Sequence, residues 1–387
     1  MTHSSPSTLR NPAFEEFAVG DKFLVEARVT SLDAPRRRIH LACTCTLPDG
    51  TVAIEGEAYV QAPQESITCA RSAPPEIHVE DSPPAGLHAL LAQVSGLAPI
   101  RVAVVHPCDE ISLKAALDAH SQGLIEPVLV APAALLARTA QALGVSLDGL
   151  DVRDAADSQA AAAAAVALAR AGEVEALMKG HLHTDELMEA VVHSAGLRTK
   201  RRISHCYLMQ TPHYPRPFII TDAAVNIAPT LEQKADIVRN AIDLAHAIGV
   251  KKPRVAILAA VETVNPAMPA TVDAAALCKM ADRGQITGAC LDGPLAFDNA
   301  VSQTAAHIKD IHSEVAGLAD ILVAPDLESG NMLAKQLMYL ADAASAGLVL
   351  GARVPIILTS RADTHESRIA SCALALLLAH HYRNSPI

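Results

Sequence analysis

Ser360 and Arg361 stand side by side after the apolar run Val354–Thr359. A guanidinium is a planar fork matched to phosphate oxygens, and a neighbouring hydroxyl adds a further hydrogen bond. Lys179, after Leu177-Met178, puts a point charge at a second such run, followed by Gly180-His181-Leu182-His183-Thr184-Asp185. Gly330-Asn331, beyond Ile321–Ala324, reads as a turn opening a helix at about Met332, whose first N–H groups would be free for an anion. Asp222–Thr230 follows Phe218–Thr221, and Asp292-Gly-Pro-Leu-Ala-Phe-Asp298-Asn299 follows the run ending at Leu291. Gathered in one place, these residue types would bind a phosphate or an acyl phosphate.

Each has a plainer reading. Ser360-Arg361 could cap a helix with an exposed arginine, Asp298 could bridge a turn, and Gly330-Asn331 could be only a tight turn. Lys179 could be a solvated surface charge. His181 and His183 invite a metal, but the surrounding sequence shows no recognised metal-ligand set to complete a site.

The elements that must position these residues show in the hydrophobic pattern. Residues 14–61 alternate with period two, giving strands over 23–30, 37–46 and 52–60 with Pro48-Asp49-Gly50 as a turn. Residues 62–97, rich in Pro, Ser and Ala, read as a linker. From about residue 98, short apolar runs alternate with helical stretches: Ile100–Val105, a helix over 110–122, Pro127–Ala131, Leu177-Met178, Phe218–Thr221, Arg254–Ala260, Ile286–Leu291, Ile321–Ala324 and Val354–Thr359. That rhythm is an α/β pattern with a parallel sheet, whose ligands bind beyond the carboxyl ends of the strands. It places all five polar turns on one edge of one sheet.

Composition narrows the function. A net charge of −11 and the absence of Trp argue against nucleic acid as a partner. No apolar run nears the ~20 residues of a membrane helix, and Ala160–Leu168 reads as a packed alanine-rich helix. The N-terminus lacks a secretory layout, and eight cysteines are scattered without metal spacing. These features predict a cytoplasmic, enzyme-like protein without disulfides, bound metal or membrane contact.

Four motifs then carry a resemblance. Asp222-Ala-Ala-Val-Asn-Ile-Ala-Pro-Thr230, Asp292-Gly-Pro-Leu-Ala-Phe-Asp298, Val315–Asp326 with Gly330-Asn331, and Ser360-Arg361 occur in the order seen in phosphate acetyltransferases and phosphate butyryltransferases. The resemblance spans about residues 98–384. It implies two α/β/α domains with a cleft between them, of the isocitrate/isopropylmalate dehydrogenase type, and usually a homodimer. Residues 98–200 and 342–387 would form the first domain and 201–341 the second. It implies acyl transfer between coenzyme A, as a substrate, and phosphate, with acyl-CoA and acyl phosphate as the other partners and no resident cofactor. Ser360 and Arg361 match the pair that binds and polarises the acyl phosphate, with Lys179, Thr184, Gly330 and Asn331 as candidate phosphate contacts. Lys200-Arg201-Arg202 is either a solvated charge run or a hold on the coenzyme A 3′-phosphate.

One position departs. Seven residues beyond the serine, where the acetyltransferases carry a carboxylate proposed as base, this chain has Ser367. Asp363, Glu366 or Asp298 could substitute, or positioning alone could suffice. Leu358-Thr-Ser-Arg-Ala-Asp363 with Arg368-Ile-Ala-Ser371 looks closer to the butyryl branch, which leaves chain length open. The front segment, with Phe17-Ala-Val-Gly20-Asp21, Cys43-Thr44, Asp49-Gly50 and Gly56-Glu57-Ala58, resembles the second half of a MaoC-like enoyl-CoA hydratase of hot-dog fold. The half bearing the hydratase's Asp and His is absent, so no hydratase activity is expected. Two rival functions stand beside the transferase: a metal-dependent hydroxyacid dehydrogenase, disfavoured by the lack of a ligand set, and a weakened coenzyme A-binding scaffold subunit, favoured by Ser367.

Overall fold

The computed structural model describes residues 24–47, 50–61, 88–194, 196–358 and 363–385. The chain divides into two compact units, Met1–Asp81 and Ser82–Ile387. In the first, β1 (Leu24–Asp33), β2 (Arg38–Thr46) and β3 (Val52–Gln61) form an antiparallel sheet in sequence order. Around the expected turn, Leu47 N–H donates to the Thr51 carbonyl and Gly50 N–H to the Leu47 carbonyl. Gly50 takes a φ of 88°, a conformation that glycine alone adopts freely. Phe17–Asp21 and most of the expected linker lie outside the described residues. The end of that linker is α1 (His88–Val94), a helix packed on the C-terminal α11 (His365–Asn384).

The second unit opens with β4 (Ile100–Val105), α2 (Glu110–Ser121), β5 (Ile125–Ala131), α3 (Ala133–Leu143), β6 (Asp151–Asp154), α4 (Ser158–Ala171), β7 (Ala176–Lys179) and α5 (Thr184–His193). Then come β8 (Ser204–Gln210), β9 (Phe218–Thr221), α6 (Leu231–Ala247), β10 (Arg254–Leu258), α7 (Pro269–Asp282) and β11 (Cys290–Leu295). The chain ends with α8 (Phe297–Val301), α9 (Gln303–Ile308), β12 (Ile321–Val323), α10 (Leu327–Leu340), β13 (Ala344–Leu350), β14 (Ile356–Ile357) and α11. Strands such as β4, β9 and β12 are buried on both faces, which explains why they read as continuous apolar runs. Helix starts follow side-chain caps: Asp109 for α2, Asp157 for α4, Asp326 for α10, and a Thr230/Gln233 capping box for α6.

Eleven described strands make one mixed sheet, in the order β11-β10-β12-β9-β8-β13-β14-β7-β4-β5-β6. β14, β7, β4, β5 and β6 form one parallel group, and β9, β12, β10 and β11 another. Between them β8 and β13 run antiparallel to each other and to their outer neighbours. Met178, Ile357, Leu348, Cys206, Thr221 and Val323 therefore lie in one cross-strand row. From that row the chain runs on to Lys179 in one direction and to Asp222 in the other. The expectation of five polar turns on one edge is corrected by this inversion. The turns after β7 and β14 leave the ladder in one sense, and those after β9, β12 and β11 in the opposite sense.

Three further expectations shift. β6, β8 and β13 had no counterpart among the sequence-predicted strands. The run placed over 286–291 becomes β11 at 290–295, so Asp292-Gly293-Pro294 lies in a strand; a proline, lacking a donor, is tolerated there because β11 is an edge. Helix α10 begins at Leu327 rather than near Met332.

Candidate active site

The ends of β4 and β7 are locked together by main chain. Gly180 N–H donates to the Val105 carbonyl at 2.9 Å and His181 N–H to the His106 carbonyl at 2.8 Å. A Cβ on Gly180 would lie 2.4 Å from the Val105 oxygen, so only glycine permits this approach. The buried His106, with a left-handed φ of 52°, returns a contact from Nδ1 to the His181 carbonyl at 2.7 Å. Residue 181 is thus held by both its main-chain polar groups.

Its side chain is fixed as well. His181 Nδ1 lies 3.0 Å from Asp109 Oδ2, and the ring remains about half exposed. Asp109 caps α2, accepting the Ser112 N–H at 2.8 Å and its hydroxyl at 3.0 Å. Desolvation pushes the Asp109 carboxyl upward, but the Ser112 hydrogen bonds and the His181 ring outweigh it and hold the group below the usual carboxylate range. The neighbouring Cys108 thiol is pushed up to about 11, by burial first and by Asp109 second, which leaves it protonated and unreactive. Sequence reading weighed His181 only as a metal ligand. Nothing in the sequence pairs it with Asp109, seventy-two positions earlier; the one local signal was Asp109 three residues before Ser112, a helix-cap spacing.

The other expected residues fall as follows. Lys179 ends β7, half-buried, with Nζ 3.4 Å from the Gly180 carbonyl. Thr184 is the exposed first residue of α5. Ser360 and Arg361 lie outside the described residues, between Leu358 and Asp363. Leu358 packs into the same apolar cluster as Leu182 and Leu187, which brings the end of β14 beside the His181–Thr184 turn. Half-buried Asp363 precedes α11, and its carbonyl accepts a hydrogen bond from Arg368 at 3.2 Å. Its charge reaches Tyr207 on β8, whose hydroxyl is pushed up to about 12 by burial first and by Asp363 second. Ser367 is a first-turn residue of α11, its N–H capped by Thr364 at 3.1 Å. Glu366 accepts its own N–H and the Thr364 hydroxyl, which hold its carboxyl below the usual range and make it a weak base.

Asp298, Gly330 and Asn331 belong to the second parallel group. Asp298 pairs with Lys309 at 3.3 Å, and Lys309 also binds Glu262 at 2.6 Å. Gly330 and Asn331 do not open a helix with free donors. They lie in the second turn of α10, where the Gly330 N–H is already used by the Asp326 carbonyl. The Asp326 carboxylate caps Ser329, which starts the helix early. Gly330 is required by packing, since a Cβ would sit 2.5 Å from the Asp222 carbonyl, and Asn331 Nδ2 donates to the Ala223 carbonyl at 3.1 Å. Arg201 is paired with Asp243, and Arg202 donates to Asn226 Oδ1 at 2.6 Å, so both are engaged within the fold. On β8, burial pushes His205 down to about 4, against Asp222 and with Lys335, so the ring is neutral at pH 7; it meets Tyr207 edge-on at 4.2 Å.

Among the described residues no group of three or more His, Cys, Asp or Glu is placed to hold a metal ion. What the described part of the first group's edge offers is Lys179, the Thr184 hydroxyl and the oriented His181 imidazole.

In comparison with known proteins, residues 158–376 match the family described as phosphate acetyl/butaryl transferase. A phosphate acetyltransferase of Rhizobium meliloti is 58% identical over 77% of this chain and 95% of its own. A phosphate butyryltransferase of Clostridium acetobutylicum is 41% identical over 72% of this chain and 93% of its own. The crystal structure of a branched-chain phosphotransacylase from Enterococcus faecalis V583 superposes with a TM-score of 0.65 at 30% identity, covering 73% of this chain and 99% of that one.

Proposed function

The chain belongs to the phosphate acetyl/butyryl transferase family, and we propose that it exchanges an acyl group, acetyl in the first instance, between coenzyme A and inorganic phosphate at the edge formed by β4, β7 and β14. Its close match to a phosphate acetyltransferase over nearly that protein's whole length carries the reading. The butyryltransferase match is more distant, so butyryl transfer is the second specificity.

In the thiolysis direction the coenzyme A sulfur attacks the acyl carbon of an acyl phosphate, and the bond to the phosphate oxygen breaks. Arg361 and Ser360 hold and polarise the acyl phosphate, concentrating positive charge where the carbonyl oxygen and the leaving phosphate become more negative. Lys179 and Thr184 sit at the adjoining strand end and complete the phosphate pocket. Asp363, two residues beyond Arg361 in the sequence, is anchored through its carbonyl to Arg368. Asp298 supports the second group's rim through Lys309, and Gly330 and Asn331 seat α10 against the loop after β9. Coenzyme A is a substrate, and the reaction as written needs no resident cofactor. Among the described residues no helix is long and apolar enough to cross a membrane. A cytoplasmic homodimer or higher homo-oligomer, the family's usual assembly, completes the reading.

The test is release of coenzyme A, followed with a thiol reagent, from acetyl-CoA and butyryl-CoA with and without phosphate. Phosphate-dependent release, faster from acetyl-CoA, is the expected result. No release from a folded sample that still binds coenzyme A would replace the enzyme by a scaffold subunit.

A further inference from the structure

A thiol of ordinary acidity, near ~8.5, is mostly protonated at neutral pH, so thiolysis gains from a group that takes its proton. Of the carboxylates considered for that task, Glu366 and Asp298 are poorly suited, and Asp363 acts on Tyr207 of β8. Ser367 stands where the acetyltransferases carry one, Glu366 is a weak base, and Asp298 is bound up with Lys309 in the second group. We propose that His181, oriented by Asp109, is the proton acceptor for the coenzyme A thiol. The inference rests on the acyl-transfer reading above.

Four contacts build the arrangement. The main chain of residue 181 is held on both sides by His106, Gly180 permits the close approach, and Nδ1 faces Asp109 Oδ2 at 3.0 Å. Asp109 is itself held by Ser112 and remains ionised. A carboxylate at Nδ1 keeps the proton on that nitrogen and leaves the lone pair on Nε2, the tautomer a base requires. Nε2 has no partner among the described residues, and the ring is about half exposed. The turn carrying it shares an apolar cluster with Leu358, the last described residue before Ser360-Arg361. The titratable groups facing the ring are Asp109 at the head of α2 and His106 just past β4, while Lys179 ends β7 and His183 and Glu186 stand at the start of α5, with Glu186 influenced by His183 and His106.

In the step, the S–H bond breaks as its proton passes to Nε2, sulfur bonds to the acyl carbon, and the carbon–oxygen bond to phosphate breaks. The proton on Nε2 then leaves with the phosphate, so the imidazole returns neutral and no electrons are gained or lost. Asp109 touches no reacting atom and acts as a positioning residue.

The experiment measures kcat and KM for coenzyme A and acetyl phosphate between pH 5.5 and 9 in wild type, His181→Asn, His181→Gln and Asp109→Asn. At pH 7, His181→Asn and His181→Gln should lose about 10²–10³-fold in kcat, with both KM values within about threefold. The acidic limb of the profile should vanish, leaving a rate that climbs with pH as solvent supplies the thiolate. Asp109→Asn should lose about tenfold in kcat with both KM values unchanged, since it orients the ring without touching substrate. The proposal is overturned if either folded His181 variant keeps more than a third of wild-type kcat, or keeps the acidic limb. If neither His181 variant folds, Asp109→Asn decides, and an unchanged kcat, or a loss that falls on KM instead, overturns it. Wild type without any phosphate-dependent exchange would instead refute the acyl-transfer reading itself.

Discussion

Two aspartates at strand ends make opposite use of the same side chain. Asp222, past β9, accepts the N–H groups of His205, Ala224, Val225 and Asn226 and the Asn226 side-chain amide. It is 3% exposed, and its oxygens are consumed in shaping the turn. Asp109, before α2, spends part of its capacity on the helix cap and the rest on an imidazole half open to solvent. A carboxylate wholly saturated by local main chain is a staple; one that reaches outward to a second titratable ring can take part in chemistry. The same contrast holds for the described charges of the two parallel groups, one with Asp298 tied to Lys309 and Asp222 to its own turn, the other with the His181 ring half exposed beside Asp109.

The sharpest way to break that contrast is Arg361→Ala. It should cost on the order of 10³-fold in kcat, measured as phosphate-dependent coenzyme A release; a loss under tenfold would remove the functional weight from the first group. Asp222→Ala should destabilise by about 3 kcal/mol or more, because several buried donors lose their acceptor at once. Asp109→Ala should cost only about 1 kcal/mol, as for a helix cap. Denaturant melts of the two variants would erase the comparison if they matched.

The glycines allow a finer cut. Gly180→Ala and Gly330→Ala each drive a Cβ against a carbonyl oxygen, at 2.4 Å and 2.5 Å, and should each cost about 2 kcal/mol. Only Gly180→Ala should also depress turnover well beyond its loss of folded protein, because it displaces His181. Equal turnover losses would blur the two groups. Acid sensitivity separates the carboxylates further. Since the fold holds Asp109 below its ordinary value, its contribution is fully present above about pH 4 and is lost as the pH falls through the folded value. Acid unfolding of Asp109→Asn should therefore begin from a lower plateau and fall less steeply than wild type. Least of all, Asp298→Asn should change kcat by less than about threefold, since its exposed pairing with Lys309 contributes under about 1 kcal/mol. A hundredfold loss would bring the second group's rim into the catalytic step.

Most parallel strands, unlike the polar, largely exposed edge strand β6, were readable because burial on both faces writes them as unbroken apolar runs, as in Ile100–Val105. β8 and β13 were not. Ser204-His-Cys-Tyr-Leu-Met-Gln210 mixes polar and apolar residues, and Ala344-Ser-Ala-Gly-Leu-Val-Leu350 leans on small ones. Missing those two strands hid the reversal between the groups, and with it the split of the polar turns. The start of α10 slipped because Gly330-Asn331 looks like a turn, whereas the Asp326 cap and the close pass to Asp222 put glycine inside a helix. Of the candidate site, the positions of Lys179 and Thr184 were legible from their place after an apolar run. The Asp109–His181 pair was not, because its partners meet only when β4 and β7 lie side by side.

That β8 and β13 join the two groups edge to edge bears on how the enzyme can move. A clamp usually turns on a slack joint, yet here the joint is two fully paired strands in the middle of the ladder. Any change of angle between the groups is then a torsion of the ladder itself, resisted like a stiff spring and shared among many cross-strand bonds. Backbone amides of β8 and β13 should be among the last to exchange with solvent, making the middle of the molecule its most rigid region.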